Sequence, residues 1–136
     1  MKFLSIKKDN KGFTLLEILV VISIIGILIA IGASAYSTAQ KKSRDARRTG
    51  DMKAMQNAFE QFYTTNGSEY DTCANMAAGF SSGILPADPK DGAYPCDGDA
   101  VSYCACAELE SGTGNASNGT CSYAAGGAFF CVSNLQ

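Results

Sequence analysis

Histidine is absent from the 136 residues of this chain. That excludes mixed Cys/His metal sites and the side chain most often used as a general acid or base near neutral pH. The sequence contains neither a nucleophile elbow nor a convincing acid/base pair, so it reads as a non-enzyme, with no catalytic residue, cofactor or metal site expected. Proline is scarce and confined to Pro86, Pro89 and Pro95, leaving residues 13–65 without a breaker. Basic residues almost vanish after the first half. From Glu69 onward Lys90 is the only one, set against Glu69, Asp71, Asp88, Asp91, Asp97, Asp99, Glu108 and Glu110. Cysteine is missing from the N-terminal half, and all six residues (Cys73, Cys96, Cys104, Cys106, Cys121 and Cys131) lie beyond it.

What the N-terminal half does contain is a nearly unbroken apolar run over residues 13–35. As a helix it rises roughly 34 Å, enough to cross a hydrocarbon core of about 30 Å. Glu17 is the one carboxylate in the run, and an ionisable group there is a functional-site hypothesis. Residues 1–12 carry Lys2, Lys7, Lys8 and Lys11 against Asp9, the pattern of a targeting leader. A second basic cluster follows the run: Lys41, Lys42, Arg44, Arg47 and Arg48, with Asp45 among them. The contrast between this basic stretch and the acidic C-terminal half would let copies of the chain attract one another at staggered heights. A basic run also suits phosphate binding. Its place on a stem packed against other stems, beside an acidic head, makes self-assembly the expected use and nucleic acid an unexpected partner.

Met52, Met55, Phe59 and Phe62 recur at helical spacing, widened by Ala54, Ala58 and Tyr63, and form a core-facing stripe. Asp51, Lys53, Gln56, Asn57, Glu60 and Gln61 fall on the wet face. Asn66-Gly67 supplies a left-handed C-terminal cap. The expectation is one continuous helix of about 50 residues, some 80 Å long, with Gly26, Gly32 and Gly50 as its interior weak points.

Residues 67–99 hold the prolines and read as a mostly irregular connection. Strands are expected over residues 100–107, 120–125 and 128–133, with Gly126-Gly127 as a hairpin turn between the last two and residues 111–120 as a polar loop. The resulting small antiparallel sheet should lie on the methionine and phenylalanine stripe. A head of some 70 residues has little core of its own, and six cysteines after a membrane-targeting segment read as disulfides in an oxidising compartment. Six cysteines allow 15 pairings. The hairpin would bring Cys121 and Cys131 together, and alternation would place Cys104 and Cys106 on one sheet face. Asp97-Gly98-Asp99 reads as a surface turn rather than a calcium loop, and Cys104-Ala105-Cys106 as structural rather than metal-binding. Asn66, Asn115 and Asn118 each open an Asn-x-Ser/Thr sequence, here read as loop composition.

The basic leader, Gly12-Phe13-Thr14-Leu15-Leu16-Glu17 and the apolar continuation Ile18-Leu19-Val20-Val21-Ile22 together resemble the type IV prepilin signature, shared by pilins and the pseudopilins of type II secretion. Residues 51–67 resemble the upper helix of those proteins, and residues 85–89 the entry to their sheet. The resemblance implies an α+β pilin fold: a long N-terminal helix with a small C-terminal antiparallel sheet packed on its upper half. The division is then a leader (1–12), a transmembrane and filament-core helix (13–35), an amphipathic upper helix (36–66) and a disulfide-stapled head (67–136). It further implies cleavage between Gly12 and Phe13 by a prepilin peptidase, N-methylation of Phe13, and pairing of Glu17 with the Phe13 amine of a neighbouring subunit. Implied partners are copies of the chain in a helical filament, the peptidase, an inner-membrane assembly platform, and membrane lipid before assembly. The subunit would wait in the cytoplasmic membrane with its leader inside and end in a filament at the cell surface. The strong second basic cluster runs against positive-inside counting, but the cysteines and the leader set this orientation.

One departure stands out: many pilins have proline where this chain has Ser34. Two alternatives compete with the filament reading. One is a minor or tip pilin binding DNA or a surface ligand. The other is a small secreted disulfide-rich protein cut before Tyr36, after Ala33-Ser34-Ala35.

Overall fold

The computed structural model describes residues 12–90 and 92–136. The leader lysines, Asp9 and Asp91 lie outside the described residues. The chain divides into two compact units, Met1–Ser37 and Thr38–Gln136.

Helix α1 covers Leu15–Thr65. It runs without interruption through Gly26, Gly32 and Ser34. Its hydroxyls bond back to the helix itself, Ser23 Oγ donating to the Leu19 carbonyl at 2.8 Å and Ser34 Oγ to that of Ile31 at 2.9 Å. Backbone donors and acceptors satisfied within the segment are what an apolar solvent requires. In the first unit the apolar side chains are exposed along its length, from Leu15 at 83% to Ile31 at 64%. The helix is long and apolar enough to cross a membrane by length and composition. Its C-terminus follows the expected cap: Gly67 takes φ +71°, and the Ser68 N–H reaches the Tyr63 carbonyl at 3.1 Å, the outer bond of a Schellman motif.

In the second unit the helix buries one stripe. Met52, Met55 and Phe59 are fully buried and Phe62 partly so, packed with Tyr103, Ala105, Ala107 and Val132 from the sheet. The stripe continues downward through two charged residues, Arg48 and Asp45, and it leaves Ala54 exposed. The wet face is narrower than expected. Asp51, Gln56 and Glu60 are half-buried and bond to the head: Tyr94 Oη donates to Asp51 at 2.7 Å, Gln56 Nε2 to the Ser133 carbonyl at 2.9 Å, and Tyr103 Oη to Glu60 at 3.1 Å.

Residues 67–99 are mostly irregular, as expected, and carry several short elements. Thr72 caps helix α2 (Cys73–Met76), which runs into a 3₁₀ turn, Ala77–Gly79. Strands β1 (Ala87–Asp88) and β2 (Gly92–Ala93) form a two-stranded ribbon, and β3 (Cys96–Gly98) enters the main sheet. That sheet adds β4 (Tyr103–Glu108), β5 (Gly114–Ala116), β6 (Tyr123–Gly127) and β7 (Phe129–Ser133) in the order β3-β4-β7-β5-β6, and its pairs are antiparallel.

The expected hairpin at Gly126-Gly127 does not form. Both glycines belong to β6, which pairs with β5, while β7 pairs with β4 and β5. Residues 111–120, expected as a loop, contribute β5 between them. The physical reason lies in the glycines themselves. A Cβ on Gly127 would collide with the Ala116 carbonyl, and one on Gly114 with the Phe129 carbonyl. These are sites where another strand approaches the backbone closely, not only turn formers. Asn115 completes the junction: its amide accepts from the Cys131 N–H at 2.7 Å and donates to the Cys131 carbonyl at 2.9 Å, standing in for a ladder residue where the register shifts.

Phe59 stacks edge-on against Tyr103, ring centroids 5.0 Å apart. Phe59→Ala should cost about 3–5 kcal/mol in chemical denaturation of the detergent-solubilised chain followed by tyrosine dichroism. A loss under about 1 kcal/mol would mean that this contact is not central to the core.

Candidate functional site

Thr14 is the N-cap of α1 and Glu17 sits three positions later. The Glu17 N–H donates to Thr14 Oγ1 at 3.2 Å, and Glu17 Oε2 accepts from the Thr14 N–H at 2.8 Å and from Thr14 Oγ1 at 2.9 Å. This reciprocal pair is a capping box. Its signature in the sequence is Thr14-Leu15-Leu16-Glu17, a threonine followed three residues later by a glutamate at the head of an apolar run. Among the described residues, Glu17 Oε1 takes no partner. Phe13 is 84% exposed, and nothing crowds Gly12. A carboxylate is thus held at the positive end of a helix, among apolar side chains that are exposed among the described residues.

A second charged group lies in the Thr38–Gln136 unit. Arg48 is 2% exposed. It grips both Asp88 oxygens, at 2.5 and 2.9 Å, and reaches Glu110 at 3.1 Å and Asp45 at 3.2 Å. Arg44 takes both oxygens of Glu110, at 2.6 and 2.8 Å. Asp45 in turn receives the backbone N–H groups of Glu110 and Ser111, both at 2.9 Å. Two bases of the expected self-attracting basic cluster are therefore neutralised inside the chain by acids of the head. The sequence showed the opposite charges but not that they meet intramolecularly.

The hydrogen bond from Arg44 drives Glu110 down to about 2, with Arg48 adding to it. Burial pushes Asp45 up, but the Ser111 and Glu110 donors and Arg48 outweigh it and hold it below the usual carboxylate range. On the far side of the core, burial and the Glu60 carboxylate raise Tyr70 to about 12 and Tyr103 higher still. Glu60 also accepts the Leu135 N–H at 3.1 Å and so holds the C-terminal tail.

The six cysteines pair as Cys73–Cys96, Cys104–Cys121 and Cys106–Cys131. The Cys121–Cys131 bridge suggested by a hairpin is overturned along with the hairpin: β7 pairs with β4, and this puts Cys131 opposite Cys106. The sulfurs of Cys104, Cys106 and Cys121 lie within 4.8 Å of one another, but as disulfides they offer no thiolate to a metal. Asp99 is used in a turn, where Oδ1 accepts the N–H groups of Val101 and Ser102, each at 2.8 Å.

Both depressed carboxylates bind protons more weakly in the folded chain than in the unfolded one. The stability they supply is complete above about pH 5 and is lost as pH falls below that, for Glu110 through about 2. Denaturation midpoints should therefore be lower at pH 3 than at pH 6, and Glu110→Gln should narrow that gap by lowering the pH 6 value. Equal midpoints at both pH values in the unsubstituted chain would contradict the assignment.

Comparison with known proteins places these features in a family. Residues 7–33 match the model of the prokaryotic N-terminal methylation motif. The chain is 33% identical over 106 residues to the type IV wide pilus major component of Thermus thermophilus, covering 78% of this chain and 79% of that protein. It is 46% identical over 51 residues to the type IV major alpha-pilin of Moraxella bovis, covering 38% of this chain and 32% of the pilin, so it spans only about a third of that relative's length. It is also 27% identical over 92 residues to the type II secretion system core protein G of Dickeya chrysanthemi, covering 68% of this chain and 59% of that protein. No solved structure matches significantly. The methylation motif, the exposed apolar helix and the disulfide-bonded sheet together make this chain a member of the type IV pilin and pseudopilin family, a pilin-like structural subunit.

Proposed function

We propose that the chain is the subunit of a helical filament assembled through residues 13–35 after removal of the leader. In this reading a prepilin peptidase cuts between Gly12 and Phe13 and methylates the new Phe13 amine. Glu17 then receives that amine from a neighbouring subunit on an inner-membrane assembly platform. Residues 13–35 hold the subunit in the bilayer first and become filament core later. Residues 36–66 and 67–136 form the surface-facing part.

The observation that carries this reading is the open Oε1 of a fixed carboxylate beside an exposed apolar helix. Removal of such a surface from water is worth about 25 cal/mol per Å². Lipid and neighbouring apolar stems both provide it. In the dry interior so formed, a carboxylate strongly favours a cationic partner. The capping box supports the role by holding the carboxylate at the helix end where the amine would arrive. Thr14 supplies its own N–H and hydroxyl to Oε2 only, so the second oxygen remains available.

Intact mass and N-terminal sequencing of the mature chain should give methylated Phe13. A chain beginning at Tyr36 would instead establish the secreted-protein alternative. Glu17→Ala should reduce filament yield by about tenfold or more, while the subunit still accumulates in the membrane. Wild-type filaments from that variant would remove the pairing role. Immunogold label confined to filament tips, rather than spread along them, would favour the minor-pilin alternative.

A further inference from the structure

The sheet has a second, smaller core on the face away from Met52 and Phe59. Cys106 and Cys131 lie opposite each other on β4 and β7 with Cα atoms 4.1 Å apart. Both are buried, packed with Ala116 and against Phe129. The Cys104–Cys121 bridge sits beside them and is half-buried. Cys106 Sγ lies 3.7 Å from Cys104 Sγ and 3.9 Å from Cys121 Sγ, so sulfurs of two different disulfides are in van der Waals contact. Cys104 and Cys121, but neither Cys106 nor Cys131, line an open groove of about 290 Å³ with Asp97, Ser102 and Asn134. One bridge is reachable from solvent, and the other is reachable mainly through the first.

We propose that these four sulfurs form a thiol–disulfide exchange site, entered by a dithiol at Cys104–Cys121 and resolved internally by Cys121 on Cys106. In the first step a thiolate of the dithiol attacks the outer bridge, and its second thiol closes the dithiol's own disulfide. Two electrons pass to the protein, and Cys104 and Cys121 become thiols. In the second step the Cys121 thiolate attacks Cys106 Sγ. The Cys106–Cys131 bond breaks, a Cys106–Cys121 bond forms, and the Cys131 thiolate takes up the proton that Cys121 released. This step is redox-neutral.

Cys121 is the resolving group because it lies between β5 and β6, outside the strands. Cys104 is held in ladders with β3 and β7 on either side. Joining it to Cys106, two residues along the same strand, would need Cα atoms roughly 6.7 Å apart, at the limit of disulfide reach. Run in reverse, with the disulfide form of the same dithiol taking the two electrons of Cys104 and Cys121, the two steps convert a Cys106–Cys121 mispairing into the two native bridges. The natural partner is a protein or small molecule with two neighbouring thiols.

The test uses the full chain in detergent with limiting dithiothreitol, quenched at intervals with N-ethylmaleimide and mapped by peptide mass spectrometry. The expected first product is labelled at Cys104 and Cys121. It should be followed by a species labelled at Cys104 and Cys131 that contains a Cys106–Cys121 bridge. Labels that remain on Cys104 and Cys121 with the inner bridge intact would overturn the proposal, as would an inner bridge that opens first. In the double variant Cys104→Ser/Cys121→Ser, opening of Cys106–Cys131 should slow by about tenfold or more, because burial shields it from direct attack. Opening at the wild-type rate would show direct access and equally reject the relay.

Discussion

A guanidinium removed from water has to be surrounded by acceptors, and the arrangement of the Thr38–Gln136 unit follows from how Arg48 meets that demand. Its bidentate grip on Asp88 fixes the β1–β2 ribbon against α1. Its contact with Glu110, shared with Arg44, fixes the segment that leaves β4. Asp45 then receives the backbone N–H groups of Glu110 and Ser111, so the chain turns there with its donors satisfied. Buried ion pairs add little net stability compared with apolar packing, but they penalise any arrangement that separates the partners. Here the penalty selects one seating of the sheet on the helix. Methionine and alanine side chains tolerate repacking and would not specify it alone.

Glu60 and the tyrosines do the same at the other end of the buried stripe. One carboxylate gathers Tyr70, Tyr103 and the N–H of Leu135. Helix, sheet and tail therefore meet at a single acceptor, with the apolar stripe between two polar clamps. Three disulfides close loops of 17 to 25 residues, each worth roughly 3 kcal/mol in the chain-entropy account. A head whose buried residues include several alanines has a thin apolar core; the disulfides supply stability that the core does not, and the polar clamps fix how the sheet is seated.

The Met1–Ser37 unit meets the opposite situation. Among its described residues the charged side chain is Glu17, and the apolar ones are exposed. The capping box settles the first turn of α1 locally, and the apolar surface beyond it is exposed. In the proposed function that surface is covered first by lipid and then by the stems of other subunits.

Sequence by itself determined the features set by local chemistry and by period. These were the apolar run, the buried stripe from Met52 to Phe62, the Asn66-Gly67 stop, the family motif around Gly12, Phe13 and Glu17, and the disposition toward disulfides. Each is a property of neighbouring residues or of one repeating face, so no distant partner has to be known. Strand order, cysteine pairing and the destination of Arg44 and Arg48 came only from the tertiary structure. Gly126-Gly127 suits a turn as well as a close crossing, and which it makes depends on β5 entering between β6 and β7. With β7 thus paired to β4, Cys131 lies opposite Cys106 and Cys121 is left for Cys104. Wet-face assignments failed at Asp51, Gln56 and Glu60 for the same reason: helical spacing tells which residues share a face, but only the fold tells how far the sheet reaches around it.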